Sequence, residues 1–217
     1  MIDVPLLHPT MTDAEILAGL EVAKACDAAT ACVKPYSVPV ALEVLKGTDV
    51  LVCPVIGFPA GNSSISVKVF EATEVMKQGA QEVDMVINIG KALGGEWDYV
   101  TEEIKQINDA VVAGGAILKV DPLPLFLTST GYGFNKQSEG MYIYAGATDH
   151  NLKLMRKYSS EKVQVKAADG VRTLDDLLRV RALVVTRAGA TTTKEILEEA
   201  VRRGIGKEAR EVEVFIP

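Results

Sequence analysis

The sequence has few cysteines, no surplus of positive charge and no long apolar run. Lys and Arg number 23 against 29 Asp and Glu, a net charge of −6, so the basic surplus that would neutralise nucleic-acid phosphates is missing. No run of about 18 apolar residues occurs, which excludes a membrane-spanning helix. Cys26, Cys32 and Cys53 have neither metal-ligand spacing nor an even number for pairing. We therefore expect a reduced, cytoplasmic protein with no nucleic-acid partner, membrane contact, metal or cofactor.

Signals for export, linkers and nucleotide-binding loops are also missing. The first residues lack the basic start and apolar middle of a signal peptide. No G-x-G-x-x-G follows the first strand and no G-x-x-x-x-G-K-[ST] occurs, so the usual phosphate loops of open α/β sheets are absent. The 217 residues are 48% hydrophobic and contain no repeats, which predicts one domain over residues 1–217 with a sizeable core.

Two hydrophobic periodicities alternate along the chain. Short β-branched or apolar runs predict strands at Ala29–Val33, Asp49–Gly57, Glu82–Asn88, Ala116–Val120, Val163–Ala167 and Leu183–Ala188. Helical spacing predicts helices at Val38–Lys46, Val67–Gly79, Tyr99–Ala113, Asp149–Tyr158, Thr173–Arg181 and Thr192–Arg203. This alternation indicates an α/β fold with a buried parallel sheet.

The ends of these elements narrow the choice of fold. Helix starts are marked by capping-box pairs, namely Thr12 with Glu15, Thr173 with Asp176 and Thr192 with Glu195. Polar residues and glycines directly follow several strands, and barrel enzymes carry their chemistry at that end of the strands. A closed barrel is therefore favoured, with an open doubly wound sheet as the alternative.

Two lysines and an aspartate lie within predicted strands. Lys119 and Lys166 each place a charge in or at the end of an apolar strand, and burying a lone ammonium costs several kcal/mol. Two lysines facing one interior would lower each other's pKa, which makes an amine a nucleophile toward carbonyl groups. Asp84 lies in mid-strand, where it either neutralises a buried lysine or carries a proton beside it.

Two successive strand-to-helix loops predict an anion site. Gly170–Thr173 and Gly189–Thr192 each combine glycine with a helix N-terminus, whose N–H groups and dipole favour negative charge. Loops after the last two strands of a barrel commonly hold phosphate. The alternative interpretation is two ordinary capped helices.

Taken together, these residues make the chain resemble the deoxyribose-phosphate aldolase family, from about Ile2 to Ala200. The resemblance rests on eight ordered motifs: Leu6–Pro9, Cys32–Tyr36, Val55–Pro59, Glu82–Val86, Leu118–Val120, Thr128–Gly131, Val165–Ala168 and Gly170–Thr173. It implies a TIM (β/α)8 barrel and a metal-free class I aldolase that joins acetaldehyde to glyceraldehyde 3-phosphate through a lysine Schiff base. It further implies that Asp84 relays protons, that Lys166 is the second lysine that perturbs the nucleophile, and that Lys119 is a third lysine lining the site. The implied phosphate ligands are Gly131, Gly170, Val171, Arg172, Gly189, Thr191 and Thr192.

The chain departs from the family's pattern in three places. The Schiff-base lysine should immediately precede Thr128, but that position is Leu127, which cannot form an imine. Only Asp121–Pro124 connects two expected parallel strands, where a crossover needs a dozen or more residues, so the barrel is expected to be incomplete between strands 5 and 6. Asp169 stands where a second glycine is usual, and its carboxylate would repel phosphate.

These departures leave three hypotheses open. The chain is an aldolase that uses Lys166 or Lys119 as nucleophile, a non-catalytic protein that binds a sugar phosphate or a partner, or an incomplete version of a longer enzyme. An incomplete barrel exposes strand edges, which predicts a strained or poorly ordered segment at Asp121–Phe134 and favours homo-oligomers.

Overall fold

Strands and helices alternate along the chain in the computed structural model, which describes residues 1–121, 135–136, 142–143, 148–168, 170–206 and 211–214. The first part contains β1 (Ile2–Leu6), α1 (Asp13–Ala25), β2 (Thr30–Val33), a 3-10 turn (Pro35–Ser37), α2 (Val38–Val44), β3 (Leu51–Ile56), α3 (Ile65–Lys77), β4 (Glu82–Val86), α4 (Ile89–Leu93), α5 (Trp97–Ala113) and β5 (Ile117–Asp121). The second part contains β6 (Asn135–Lys136), β7 (Tyr142–Ile143), α6 (Asp149–Tyr158), β8 (Lys166–Ala167), α7 (Leu174–Ala182), β9 (Arg187–Gly189) and α8 (Thr193–Arg202).

Seven of the described strands form one parallel sheet in the order β5-β4-β3-β2-β1-β9-β8. The return of β9 to β1 is the pairing that curls a (β/α) sheet toward a barrel. Within the described ranges, β5 pairs only with β4 and β8 pairs only with β9. The predicted fold is therefore confirmed as a TIM-type α/β barrel that is incomplete between its fifth strand and β8. Strands β6 and β7 form a separate antiparallel pair.

The core divides into two apolar clusters that meet at β1. One cluster packs helices α1, α2, α3 and α5 against β1–β4, and the other packs α6, α7 and α8 against β8 and β9. Val4 belongs to the first cluster and Ile2 to the second, because alternate residues of one strand meet different neighbours as the sheet curls. No helix within the described ranges combines the length and apolar character needed to cross a membrane.

Two of the three predicted capping boxes form. Thr12 with Glu15 and Thr173 with Asp176 both exchange side-chain and backbone hydrogen bonds at the starts of α1 and α7. The third prediction is wrong, because Thr192 at the start of α8 makes no capping hydrogen bond with its side chain. Its hydroxyl instead donates to the carbonyl of Arg172, 2.7 Å away on the preceding loop.

Strand β8, at one end of the sheet, and strand β1, within it, differ from the sequence prediction. The run Val163–Ala167 gives only the two-residue β8, which has a ladder partner on one side alone among the described residues. Strand β1 is not predicted, because Pro5 interrupts its apolar run. Its ladder with β9 ends at Asp3, so the missing N–H of Pro5 breaks no bond there. The segment Asp121–Phe134, predicted to be strained, lies outside the described residues except for the backbone of Asp121.

Candidate active site

Six charged side chains from five strands meet inside the curled sheet. They are Asp3 of β1, Glu82 and Asp84 of β4, Lys119 of β5, Lys166 of β8 and Arg187 of β9, and we call them the ionic cluster. Residues two apart on a strand project from the same face, which brings Glu82 and Asp84 into one interior. The three carboxylates balance the three cations, so the cluster is close to neutral. Such mutual compensation is what allows charges to remain buried.

Lys166 is held by two carboxylates. Its Nζ lies 2.7 Å from Asp84 Oδ2 and 3.0 Å from Asp3 Oδ2. About a fifth of the Lys166 side chain is exposed (20%), and Asp84 is 17% exposed. The Lys166 side chain is therefore partly accessible while its ammonium remains paired.

Lys119 lies among three carboxylates on the other side of Asp84. Its Nζ is 2.9 Å from Glu82 Oε2, 3.2 Å from Asp84 Oδ1 and 3.2 Å from Asp3 Oδ2. Only the contact with Asp3 has hydrogen-bond geometry. Among the described residues, Asp84 Oδ1 and Glu82 Oε2 are buried without a hydrogen-bond partner. The ammonium of Lys119 therefore attracts these two oxygens by charge, without a hydrogen bond.

Arg187 supports the cluster from β9 and was not identified from the sequence. Its Nη1 donates to Asp3 Oδ1 at 2.9 Å, and its Nη2 donates to Glu82 Oε1 at 3.0 Å. Asp3 was missed as well, although it is fully buried. The available signal was a charge inside a short apolar run, which is the same signal that identified Asp84.

The pKa values of both lysines are raised, whereas the sequence argument predicted that they would be lowered. Burial alone would lower the pKa of Lys166, but Asp84 and the other nearby anions outweigh it. Burial likewise opposes the raised pKa of Lys119, which its anionic neighbours, Asp84 and Asp3 among them, determine. The sequence prediction weighed the two lysines against each other and left out the surrounding anions, of which Asp84 and Asp3 raise the pKa of both. Both side chains are therefore ammonium groups at neutral pH.

Asp84, like Asp3, contacts both lysines. Burial favours its protonated form, but Lys166 and Lys119 outweigh burial and hold its pKa below the usual range. Asp84 therefore neutralises the buried lysines, one of the two roles expected from the sequence. The structure brings Asp84, Lys119 and Lys166 together as predicted, and their roles in a reaction stay a prediction.

Two buried thiols adjoin the ionic cluster. Cys32 and Cys53 are register partners on the neighbouring strands β2 and β3. The Sγ of Cys32 lies 3.5 Å from Asp84 Oδ2 and 3.8 Å from Lys166 Nζ. Sequence spacing could not reveal this pair, because the two cysteines meet across a strand pairing rather than within one local motif.

The two predicted anion-binding loops lie side by side, joined by the hydrogen bond from Thr192 to Arg172. Gly170 has a φ of +84°, which favours glycine, and Val171 is buried while Arg172 is exposed. Thr191 is exposed, and Gly189 ends β9. Gly131, Leu127 and Asp169 lie outside the described residues.

The two helix N-termini beside these loops differ. At α7, the backbone N–H groups of Arg172 and Thr173 donate to Asp176 Oδ2 at 3.1 and 3.0 Å. Those donors are already used, and the carboxylate would repel an anion. At α8 no side chain caps the first turn. The N-terminus of α8 is therefore the better anion site of the two.

Comparison with known proteins identifies the family. The chain is 39% identical over 233 residues to the deoxyribose-phosphate aldolase of Rhodopirellula baltica, covering 98% of this chain and 92% of that one. It is 39% identical over 219 residues to the deoxyribose-phosphate aldolase of Caldanaerobacter subterraneus, covering 95% and 94%. The chain belongs to the deoxyribose-phosphate aldolase family. No family model matches it.

Solved structures agree with this assignment of the chain to the aldolase family. The aldolase QR15 superposes with a TM-score of 0.80 at 28% identity, covering 95% of this chain and 96% of that one. The tetrameric deoxyribose-phosphate aldolase of Aeropyrum pernix superposes with a TM-score of 0.75 at 24% identity, covering 93% and 89%, and supports the fold alone. The resemblance predicted from the motifs is confirmed, and with it the classification as an aldehyde lyase.

Proposed function

We propose that this chain catalyses the reversible cleavage of 2-deoxyribose 5-phosphate to acetaldehyde and glyceraldehyde 3-phosphate, with Lys166 as the Schiff-base lysine. Leu127 has no amine, so the nucleophile must come from elsewhere in the barrel. Lys166 is the partly exposed lysine whose Nζ lies closest to Asp84, at 2.7 Å. This contact is the observation that carries the proposal, because it places an amine beside a group that can take its proton.

The proposed reaction proceeds through an iminium ion on Lys166. Loss of a proton to Asp84 frees the amine, which adds to the substrate aldehyde and, after loss of water, gives the iminium. A base removes the proton of the hydroxyl on the third carbon, and the bond between the second and third carbons breaks. Its electrons move into the iminium to form an enamine, and glyceraldehyde 3-phosphate leaves. Protonation of the enamine and addition of water then release acetaldehyde and restore the amine.

Lys119 and the other cations have a supporting role in this proposal. Lys119 approaches Asp84 at 3.2 Å from the side opposite Lys166, so its positive charge keeps Asp84 ionised until the carboxylate accepts the proton of Lys166. Arg187 fixes Asp3 and Glu82 at 2.9 and 3.0 Å, which holds the carboxylates around both lysines. The ammonium of Lys119 also favours developing negative charge on the substrate oxygen.

The substrate phosphate is assigned to the loops that follow β8 and β9. Its proposed ligands are Gly131, Gly170, Val171, Arg172, Gly189, Thr191 and Thr192. Among the described members, the uncapped N-terminus of α8 and the exposed guanidinium of Arg172 are the strongest attractions for a dianion. The Asp176 carboxylate at the start of α7 opposes them. We expect weaker phosphate binding than a pair of open helix N-termini would give.

A non-catalytic sugar-phosphate-binding protein is the second candidate. It is favoured by Leu127 and by the raised pKa values of Lys166 and Lys119, which leave little neutral amine at pH 7. The phosphate loops would then serve binding alone.

Borohydride trapping separates the two candidates. The chain is incubated with 2-deoxyribose 5-phosphate, reduced with borohydride and digested, and the modified lysine is located by mass spectrometry. We expect an adduct at Lys166 that disappears in Lys166→Met and persists in Lys91→Met, which removes an exposed surface lysine. Saturable binding with neither adduct nor aldol cleavage, lost in Arg172→Ala, would establish the binding protein instead. An adduct confined to Lys119 would assign the nucleophile to that residue.

We also propose the setting in which this activity operates. The family and the three unpaired cysteines favour a reducing cytoplasm and a place in deoxyribonucleotide catabolism. The tetrameric Aeropyrum pernix relative supports a homo-oligomer.

A further inference from the structure

We propose that Cys32, Cys53 and Asp84 form a binding site for one thiophilic divalent cation, such as Zn²⁺ or Cd²⁺, inside the barrel. The three residues lie on the consecutive strands β2, β3 and β4, and their side chains converge on one point of the interior. No motif along the sequence contains them. The site arises from strand register, which sets Cys32 opposite Cys53.

The separations suit a tetrahedral ion. The ligand atoms of the three residues all lie within 4.8 Å of one another, and Cys32 Sγ lies 3.5 Å from Asp84 Oδ2. A zinc ion with Zn–S of about 2.3 Å and Zn–O of about 2.0–2.2 Å holds sulfur and oxygen ligands about 3.6 Å apart. A set of two thiolates and one carboxylate also binds zinc and cadmium in preference to magnesium and calcium, which are harder ions and favour oxygen ligands.

The oxygen of Asp84 that a cation would take is Oδ2, which lies 3.5 Å from Cys32 Sγ and accepts a hydrogen bond from Lys166 at 2.7 Å. Asp84 Oδ1 stays beside Lys119, whose Nζ lies 3.2 Å away. If a cation takes Oδ2, Lys166 keeps its ion pair with Asp3 at 3.0 Å, and Lys119 keeps those with Asp3 and Glu82. Binding therefore leaves neither lysine without a carboxylate.

Charge balance removes the main objection, which is the presence of three cations nearby. Binding replaces two S–H bonds by two S–metal bonds, so each divalent cation releases two protons to solvent. The total charge of the site and the ionic cluster is the same before and after. No additional buried charge has to be compensated, which is the usual cost of burying an ion.

Binding at this site would inhibit the proposed aldolase, and only this consequence rests on the proposed function. The cation competes with Lys166 for Asp84 Oδ2, the atom 2.7 Å from the amine. Lys166 then loses its proton acceptor. The binding itself is measured without substrate, so a failure of either proposal is distinguishable from a failure of the other.

Cadmium titration of the full, metal-free chain under reducing conditions tests the site. We expect a thiolate-to-cadmium charge-transfer absorption that saturates at one equivalent per chain. Cys32→Ser and Cys53→Ser should each weaken binding by more than the about 10–100-fold that loss of an outer-shell partner costs. Cys26→Ser is the matched control, because that thiol lies away from the ionic cluster near Lys194 and Glu198, and it should bind cadmium unchanged.

A second measurement keeps the test valid if a variant does not fold. In the unaltered chain, one equivalent of cadmium should slow alkylation of Cys32 and Cys53 at least about tenfold, while Cys26 reacts at its original rate. Mass spectrometry assigns each modified cysteine. Protection of Cys26, unchanged reactivity of Cys32 and Cys53, or absorption that survives in Cys53→Ser would each overturn the proposal.

Discussion

At the scale of single residues, Asp84 is the side chain on which the others depend. Its two oxygens meet Lys166, Lys119 and the thiol of Cys32 within 3.5 Å. An ion pair this close favours the ammonium form of each lysine, so the carboxylate that could accept a proton also reduces the fraction of free amine. The proposed reaction should therefore be slow at neutral pH and faster in alkali.

The first prediction concerns the pH dependence of imine formation. Because the pKa of Lys166 is raised, its neutral amine should increase about tenfold per pH unit throughout the neutral and alkaline range. In Asp84→Asn the nearest anion is gone, so the profile should move toward lower pH. The initial rate of cyanoborohydride trapping of acetaldehyde measures this. Trapping at pH 7 should rise in the variant while aldol cleavage falls.

Glu82→Gln is the control for that experiment. Glu82 pairs with Lys119 and Arg187 in the ionic cluster, and in the described part of the chain it makes no ion pair with Lys166. The pH profile of imine trapping in Glu82→Gln should stay close to that of the unaltered chain. If Asp84→Asn and Glu82→Gln give the same profile as the original protein, Lys166 is not the trapped amine.

At the scale of helices and strands, sequence periodicity predicted where elements lie along the chain but not which side chains surround them in the folded protein. Helix α6 was predicted with its observed bounds, Asp149–Tyr158, because amphipathic spacing is local information. Lys68 on α3 gave no signal, since a lysine in a helix is normally a surface residue, yet it is fully buried. Its partner Glu103 on α5 is 35 residues away. Pairing across that separation depends on how the helices pack, which spacing does not encode.

The pair Lys68–Glu103 joins three elements. Lys68 Nζ donates to Glu103 Oε1 at 2.6 Å and to the carbonyl of Val86, the last residue of β4, at 2.8 Å. The other carboxylate oxygen of Glu103 accepts from the N–H of Asn88 at 2.8 Å. The pair therefore fixes helices α3 and α5 to the end of the strand that carries Asp84.

The second prediction concerns the stability that depends on this pair. Lys68→Met leaves the Glu103 carboxylate buried without its cation, so the free energy of unfolding should fall by about 3–5 kcal/mol. The double variant Lys68→Met/Glu103→Leu should recover most of that loss, because no uncompensated charge remains. Denaturant unfolding followed by circular dichroism measures both.

Lys77→Met provides the comparison on the same helix. Its ion pair with Glu74 is long, at 3.7 Å, and largely exposed, so the change should stay within about 0.5 kcal/mol. A double variant that is no more stable than Lys68→Met would show that the pair contributes packing or strand positioning that apolar side chains do not replace.

At the scale of the whole molecule, the ionic cluster connects the two strands that flank the incomplete part of the barrel. In the described residues β5 and β8 share no ladder, yet Lys119 of β5 and Lys166 of β8 both contact Asp3 Oδ2, at 3.2 and 3.0 Å. Arg187 brings β9 to the same carboxylate. Asp3 on strand β1 therefore holds cations from three strands, and the curvature of the sheet should depend on its ionisation.

The third prediction follows from the sign of the Asp3 shift. Burial would raise the pKa of Asp3, but Lys166, Lys119 and Arg187 outweigh it and lower the pKa below its ordinary value of 3.8. A lowered pKa contributes stability that is complete above the unfolded value and is lost as the pH falls toward the folded value. The free energy of unfolding should therefore hold steady near neutral pH and decline below about pH 5.

In Asp3→Asn the free energy of unfolding should start lower at pH 7 and decline less steeply, so that its curve and that of the unaltered chain converge in acid. The slope that remains includes the contribution of Asp84, whose pKa is also lowered by Lys166 and Lys119 against burial. Val4→Ala removes a buried neighbour on β1 that does not titrate, and it should lower the whole curve without changing its slope. An Asp3→Asn curve that runs parallel to the original would mean that the acid sensitivity of the barrel arises elsewhere.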